Sequence, residues 1–186
     1  LVSQGHEVHI AYQVKGNIAV SDHDALKFIE VSKDMFKNES KIPVSELIKE
    51  LKNNKPDKID SQAVRDLKGF IRKREAIAAT RYIGIPDSNT HFMNLPFYDT
   101  GRIKKNPPTK KDVLITASLI KKIKPHQIFA AGDLEDPHGT HKVCLDVILD
   151  ALDTLKGEKF IKDCWLWLYR GAWLDWDVHD IANGVP

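Results

Sequence analysis

The sequence predicts an α/β fold built on a mostly parallel sheet flanked by helices, and three stretches carry that prediction. Gln127-Ile128-Phe129-Ala130-Ala131-Gly132 is short and almost wholly apolar, the pattern of a strand buried on both faces of a parallel sheet. Beyond a polar turn, Val143, Val147, Ala151 and Leu155 recur every four residues beside Cys144, Ile148 and Leu152, with Asp146, Asp150 and Asp153 turned outward, which is an amphipathic helix. Cys164-Trp165-Leu166-Trp167-Leu168-Tyr169 then reads as another strand, with Trp165, Trp167 and Tyr169 on one face; core packing is the expectation for these rings, stacking on a sugar the alternative. With 186 residues, 42% of them hydrophobic, the chain can bury one sizeable core and not two comfortable ones.

From the beginning, Leu1-Val2-Ser3-Gln4-Gly5 looks like a last helical turn closed by a glycine. A lone turn is not stable by itself, so the expectation is that a strand and a helix precede it. His6 to Tyr12 alternates like a strand. Ala25, Phe28, Ile29, Ser32, Met35 and Phe36 lie at helical spacing, Pro43 breaks the pattern, and Val44, Leu47, Ile48 and Leu51 resume it, which predicts two short helices within about 21–60. After a turn at 53–57, a longer helix starts near Ser61. Its stripe takes in Ala63, Val64, Leu67, Ile71, Glu75, Ala78 and Tyr82 and stops at Gly84 and Pro86. Arg72 and Glu75, three apart, can pair on that helix, or Arg72 can hold an anionic or hydroxyl-rich ligand.

His91 to Asn94 is a short strand. The 95–108 stretch, with Phe97, Tyr98, Asp99 and two prolines, is long enough for a binding loop, with plain turn chemistry the alternative. Lys111 to Lys124 gives another amphipathic helix, with Val113, Ala117, Ile120 and Ile123 inward and basic residues in the last turn, where the helix dipole favours them.

A formal charge of +2 with both signs interspersed carries no nucleic-acid or membrane signature. Cys144 and Cys164 read as buried thiols of a reducing compartment. With neither a signal peptide nor a membrane-length apolar run in these residues, the expectation is a cytoplasmic protein.

The chemistry-bearing stretch is Asp133-Leu134-Glu135-Asp136-Pro137-His138-Gly139-Thr140-His141, placed where the 127–132 strand gives way to a helix. In open α/β sheets, ligands bind beyond the carboxyl ends of the strands. His138 and His141 could both face one cleft as metal ligands, with Asp133 or Asp136 as an accessory carboxylate, because a catalytic zinc takes three protein ligands and an open position. Read by spacing alone, a polar turn with a histidine in the first turn of a helix is the preferred reading.

Several blocks together resemble the LmbE/PIG-L family of zinc-dependent N-deacetylases. They are Ile71-Arg72-Lys73-Arg74-Glu75-Ala76, Arg81-Tyr82-Ile83-Gly84-Ile85-Pro86, His91-Phe92-Met93-Asn94-Leu95-Pro96, Lys124-Pro125, and the turn bearing His138 and His141. The wording of 5–20 and 132–142 is most similar to the module fused behind a glucosamine-6-phosphate deaminase domain in some bacterial proteins. The resemblance implies a Rossmann-like, LmbE-like sheet incomplete at the N-terminus, a single domain over 1–186 with a helical insertion at about 21–60, and removal of an acyl group from an amino sugar.

Carried over by motif, His141 matches a zinc ligand, His138 the residue that helps stabilise the oxyanion, and Arg72 the substrate-binding arginine. Gly139 and Thr140 stand where the family motif has an aspartate, so Asp136 is the accessory candidate with Asp133. The family's His-Pro-Asp-Asp motif, source of two further metal ligands and the general base, is expected upstream of Leu1, and its late His-x-Ser-Gln stretch beyond Pro186. The implied cofactor is zinc or another divalent metal, and the implied partners are an amino sugar, a fused deaminase domain and a possible second copy. These 186 residues alone are expected to bind zinc weakly and to be inactive. The alternative is a sugar-binding or regulatory module without catalysis, and a weaker third reading is a purely structural α/β domain.

Overall fold

A computed structural model describes residues 1–36, 44–55, 58–102, 104–132 and 139–169. It is mixed α/β, and both strand pairs among the described residues are parallel. The chain divides into two compact units, Leu1–Asn94 with Gly101–Ile103, and Leu95–Thr100 with Lys104–Pro186.

In the first unit, β1 (Ile10–Tyr12) pairs with β2 (Thr90–Phe92), placing Ile10 opposite Thr90, Ala11 opposite His91 and Tyr12 opposite Phe92. Helices α1 (Asp22–Phe36), α2 (Val44–Lys52) and α3 (Gln62–Tyr82) surround one core. Ser61 caps α3 by accepting the Val64 N–H at 3.3 Å, as its position just before the apolar stripe predicts. The helix ends where expected, with Gly84 in the left-handed region at φ 84° and Pro86 unable to continue it. Ala25, Ile29, Leu47, Leu51, Val64 and Ile71 form the buried cluster.

One strand face of this unit lies against α3. The Tyr12 and Phe92 rings stack at 5.3 Å, Lys73 Nζ sits over Phe92, and Thr90 donates to Thr80 Oγ1 at 3.2 Å. The expected α3 stripe was too broad. Tyr82 and Ala78 are exposed, while Lys68 and Thr80 are buried in their stead because each finds polar partners. Phe28 and Met35 of the expected α1 stripe are also exposed. Gly5 closes a 3-10 turn over Val2–Gln4 at φ 81°, in keeping with the helical-turn reading.

In the second unit, β3 (Gln127–Ala131) pairs with β4 (Trp165–Tyr169), from Gln127 opposite Trp165 to Ala131 opposite Tyr169. Helices α4 (Lys110–Ile123) and α5 (Thr140–Leu155) pack through Ala117, Ile120, Ala151 and Leu155, with Ile128 of β3 against them. The α5 periodicity places Val147, Ala151 and Leu155 inside, as expected.

Two expectations are corrected here. Strand β3 is not buried on both faces, and Trp165, Trp167 and Tyr169 do not pack into the core. Ile128 and Ala130 of β3 and Leu166 and Leu168 of β4 face the buried side. Alternation then sends Phe129 and the three β4 aromatics to the other face, where they are half or more exposed.

The start of the 95–108 stretch is a packed turn. Pro96–Tyr98 is a 3-10 turn whose Leu95, Phe97 and Tyr98 are buried. The Phe97 N–H donates to Asp112 Oδ1 at 3.0 Å, and the same carboxylate forms a capping box with Thr109 at the start of α4. Both cysteines are partly buried free thiols, and burial pushes the Cys164 thiol up. No helix among the described residues is long and apolar enough to cross a membrane.

Candidate functional site

His141 is the second residue of α5, in the first turn of the helix that follows β3. Gly139, at φ 67°, is the N-cap, a conformation glycine adopts without the strain a Cβ would bring. Its carbonyl accepts the Val143 N–H at 3.1 Å, which winds the first turn. The His141 ring is partly buried. In chain order the residue opens the helix that follows a parallel strand. His138, Asp133 and Asp136 lie outside the described residues.

Arg72 belongs to the first unit and His141 to the second. Arg72 is exposed on α3 and donates to Glu75 Oε2 at 2.5 Å, the pairing that its spacing offers. The turn after β1 passes close to it. A Cβ added to Gly16, itself at φ 66°, would meet Arg72 Nε at 3.5 Å. Among the described residues, no three His, Cys, Asp or Glu side chains converge in a group that could hold a metal ion.

Three polar clusters escaped the sequence reading. Lys68, buried on the inward face of α3, donates to Asp22 Oδ1 at 2.6 Å and Asp60 Oδ2 at 2.7 Å. Asn54 Nδ2 donates to the remaining oxygens of both carboxylates, 2.9 Å each, which closes the network. Burial pushes the Asp22 carboxyl up, but hydrogen bonds from Lys68 and Asn54 and the ammonium charge outweigh it, so its pKa falls below the usual value. Burial pulls the Lys68 ammonium down, and the two carboxylates more than reverse this. The only sequence signal was a lysine at a stripe position four residues after Val64.

The second cluster joins β1 to β2. His9 Nδ1 and His91 Nε2 are 2.9 Å apart, and His9 Nε2 lies 3.2 Å from Glu7 Oε1. The rings are within 11° of parallel with centroids 5.2 Å apart. At that nitrogen separation they are edge to edge, not face stacked, and share one in-plane hydrogen bond. The third is Lys105, whose Nζ sits 3.8 Å over the Tyr98 ring and whose pKa burial lowers to about 8.

Comparison with known proteins gives one informative relative. The chain is 47% identical over 195 aligned residues to a protein of Bacteroides thetaiotaomicron named as a glucosamine-6-phosphate deaminase-like protein. The alignment covers all of this chain and 29% of the relative, so the chain spans less than a third of that protein's length. No family model matches the sequence. No solved structure matches it either.

Proposed function

We propose that the chain is a deacetylase-type module of an amino-sugar protein, one that in the complete polypeptide removes an N-acyl group from an N-acetylglucosamine-type sugar. The observation that carries this reading is His141 in the first turn of the helix following a parallel strand, the place the LmbE/PIG-L resemblance assigns to a metal ligand. The whole-chain identity to a deaminase-like relative supports the amino-sugar part. The same proposal includes a Rossmann-like sheet, one domain over 1–186 with its helical insertion at about 21–60, a fused deaminase domain, and Arg72 as the sugar-binding residue.

Zinc, or another divalent metal, is part of the proposal on limited terms. The described residues offer His141 and no trio of ligands, whereas a catalytic zinc takes three protein ligands. They do not make a zinc site by themselves. The remaining ligands would come from residues outside the described set, among them Asp133, Asp136 and His138, or from polypeptide upstream.

A second reading is a sugar-binding or regulatory module without catalysis. Amine release from N-acetylglucosamine and from its 6-phosphate, followed for the 186 residues and for the longer polypeptide that carries them, separates the readings. The deacetylase reading expects turnover by the longer polypeptide only, lost in His141→Ala. Sugar binding without amine release by the longer polypeptide supports the binding module. Tight one-to-one zinc binding with deacetylation by the 186 residues alone overturns the expectation that this piece is inactive.

A further inference from the structure

The connection that leaves the carboxyl end of β1 is laid along α3. Lys15 Nζ lies 3.7 Å from Asp66 Oδ1, and a Cβ on Gly16 would meet Arg72 Nε at 3.5 Å. Asn17 comes next, the first residue of a 3-10 turn over Asn17–Ala19, and it is only 5% exposed. A side chain so covered ordinarily has its polar atoms hydrogen-bonded, and each exception calls for an explanation. Among the described residues the Asn17 carboxamide has no partner; its backbone carbonyl accepts the Val20 N–H at 3.2 Å. The described polar atoms that are sealed from solvent without a partner are Asn54 Oδ1 and Arg65 Nε. The Asn17 amide is not among them, so the little surface this residue keeps includes its amide atoms. Arg72 stands at the same turn. Its Nη1 donates to Glu75 Oε2, and its Nε and Nη2 have no partner among the described residues. Two polar groups that the described chain leaves unused thus meet one turn: Arg72 lies against Gly16, and Asn17 is next in sequence. Beyond the carboxyl end of a parallel strand, α/β sheets bind their ligands.

We infer, resting on the amino-sugar reading above, that Asn17 is a second sugar-binding residue alongside Arg72, and that this subsite takes ring hydroxyls and not a phosphate. Chemistry selects the hydroxyls. A guanidinium only donates, whereas a carboxamide both donates and accepts. One sugar hydroxyl, or two adjacent ones, accepts from Arg72 and donates to Asn17 Oδ1. A phosphate dianion has no proton to give Asn17 Oδ1, and it would meet the Glu75 carboxylate already paired with Arg72. The unused amide also separates a binding role from a structural one. A structural asparagine replaced by an apolar residue of similar shape strands its partners and costs stability, while an unpartnered one strands nothing.

The test is Asn17→Leu in the longer polypeptide that carries this chain, with His141→Ala in every variant to hold off turnover. Titration calorimetry with N-acetylglucosamine and with its 6-phosphate reads affinity, thermal melting reads stability, and Arg72→Ala is measured alongside. The expected result is binding about tenfold weaker for both sugars, the loss of one hydrogen bond to a ligand, at a melting temperature no lower than before the substitution. Asn17→Ala reads the same subsite should Asn17→Leu fail to fold. A lower melting temperature with unchanged affinity overturns the inference and makes Asn17 structural. A loss confined to the phosphorylated sugar overturns the assignment to hydroxyls. Affinity that falls in Arg72→Ala and not in the Asn17 variants overturns the inference while the amino-sugar reading stands; failure of the unsubstituted polypeptide to bind either sugar overturns both.

Discussion

Lys68 in the first unit and Asp112 in the second are the two charged side chains buried among the described residues, and they are satisfied by different means. Lys68 is neutralised by side chains distant in sequence, Asp22 and Asp60, with Asn54 filling the carboxylates' other oxygens. Among the described residues, Asp112 has no cation in its hydrogen-bond shell. It accepts from the Phe97 N–H at 3.0 Å, the Thr109 N–H at 2.8 Å and the Thr109 hydroxyl at 2.7 Å. One unit ties its helices together with an ion network, and the other pins an irregular turn to a helix start with one dry carboxylate. Removing a partner from the first leaves charge stranded, whereas removing the second strands backbone donors.

The largest effect is therefore expected from Lys68→Met, which leaves Asp22 and Asp60 facing each other without a cation. Breaking a buried ion pair from one side costs about 3–5 kcal/mol. All four tryptophans lie between residues 165 and 176, in the second unit, so tryptophan emission follows that unit while far-ultraviolet circular dichroism follows both. Denaturant melts should show the loss in the dichroism transition and little of it in tryptophan emission. Equal shifts in both signals would break the comparison.

Asp112→Ala should come next, at about 2–4 kcal/mol, because two backbone N–H groups lose their acceptor and each orphaned donor costs about 1–3 kcal/mol. Here tryptophan emission should carry the change. Ser61→Ala removes the cap of α3 and should cost about 1 kcal/mol. Arg72→Ala should change stability by less than about 0.5 kcal/mol, since it breaks only an exposed pair three residues apart. A stability loss several times larger would assign Arg72 a structural role and weaken its place in sugar binding.

Acidity sharpens the same contrast. For Asp112, burial raises the carboxyl pKa, but the Phe97 and Thr109 donors lower it more, and Asp22 is also lowered on balance. A carboxylate held below its unfolded value, about 3.9, contributes its full stability above that pH and loses it as pH falls towards the folded value. Lys68, held above its unfolded value of about 10.4, contributes fully below that pH and loses its contribution as pH rises through the folded value. Acid melts should therefore weaken both units below about pH 4, and alkaline melts should weaken the first unit through Lys68 and the second, more mildly, through the raised Cys164 thiol. Asp112→Asn should flatten the acid limb seen by tryptophan emission, with a smaller change in the dichroism, which also follows the first unit.

What the sequence revealed follows the range of the forces involved. Ser61 as a cap, Gly84 and Pro86 as a stop, and the α5 stripe are local, and each was readable within one or two helical turns. Lys68 was not, because its partner Asp22 lies 46 residues away and nothing local marks the pair. The β3 and β4 strands were legible as strands, but alternation alone does not say which face receives helices, and the aromatic face was assigned to the core for that reason. His9 was read as a strand residue. Strand β1 begins only at Ile10, paired with Thr90, and His9 bonds sideways to His91. Of the candidate site, the placement of His141 after a parallel strand and the Arg72–Glu75 pair were both foreseeable from spacing. The residues that would join His141 depend on Asp133, Asp136 and His138, outside the described residues, and on neighbours that no local pattern in these 186 residues supplies.

The most direct test of the proposed function is amine release from an N-acetylglucosamine-type substrate by the longer polypeptide carrying this chain, measured with His141 intact and as His141→Ala. The account predicts turnover that depends on added zinc or another divalent metal and falls by about two orders of magnitude or more in the variant, consistent with loss of a metal ligand. Turnover that is unchanged in His141→Ala would contradict it.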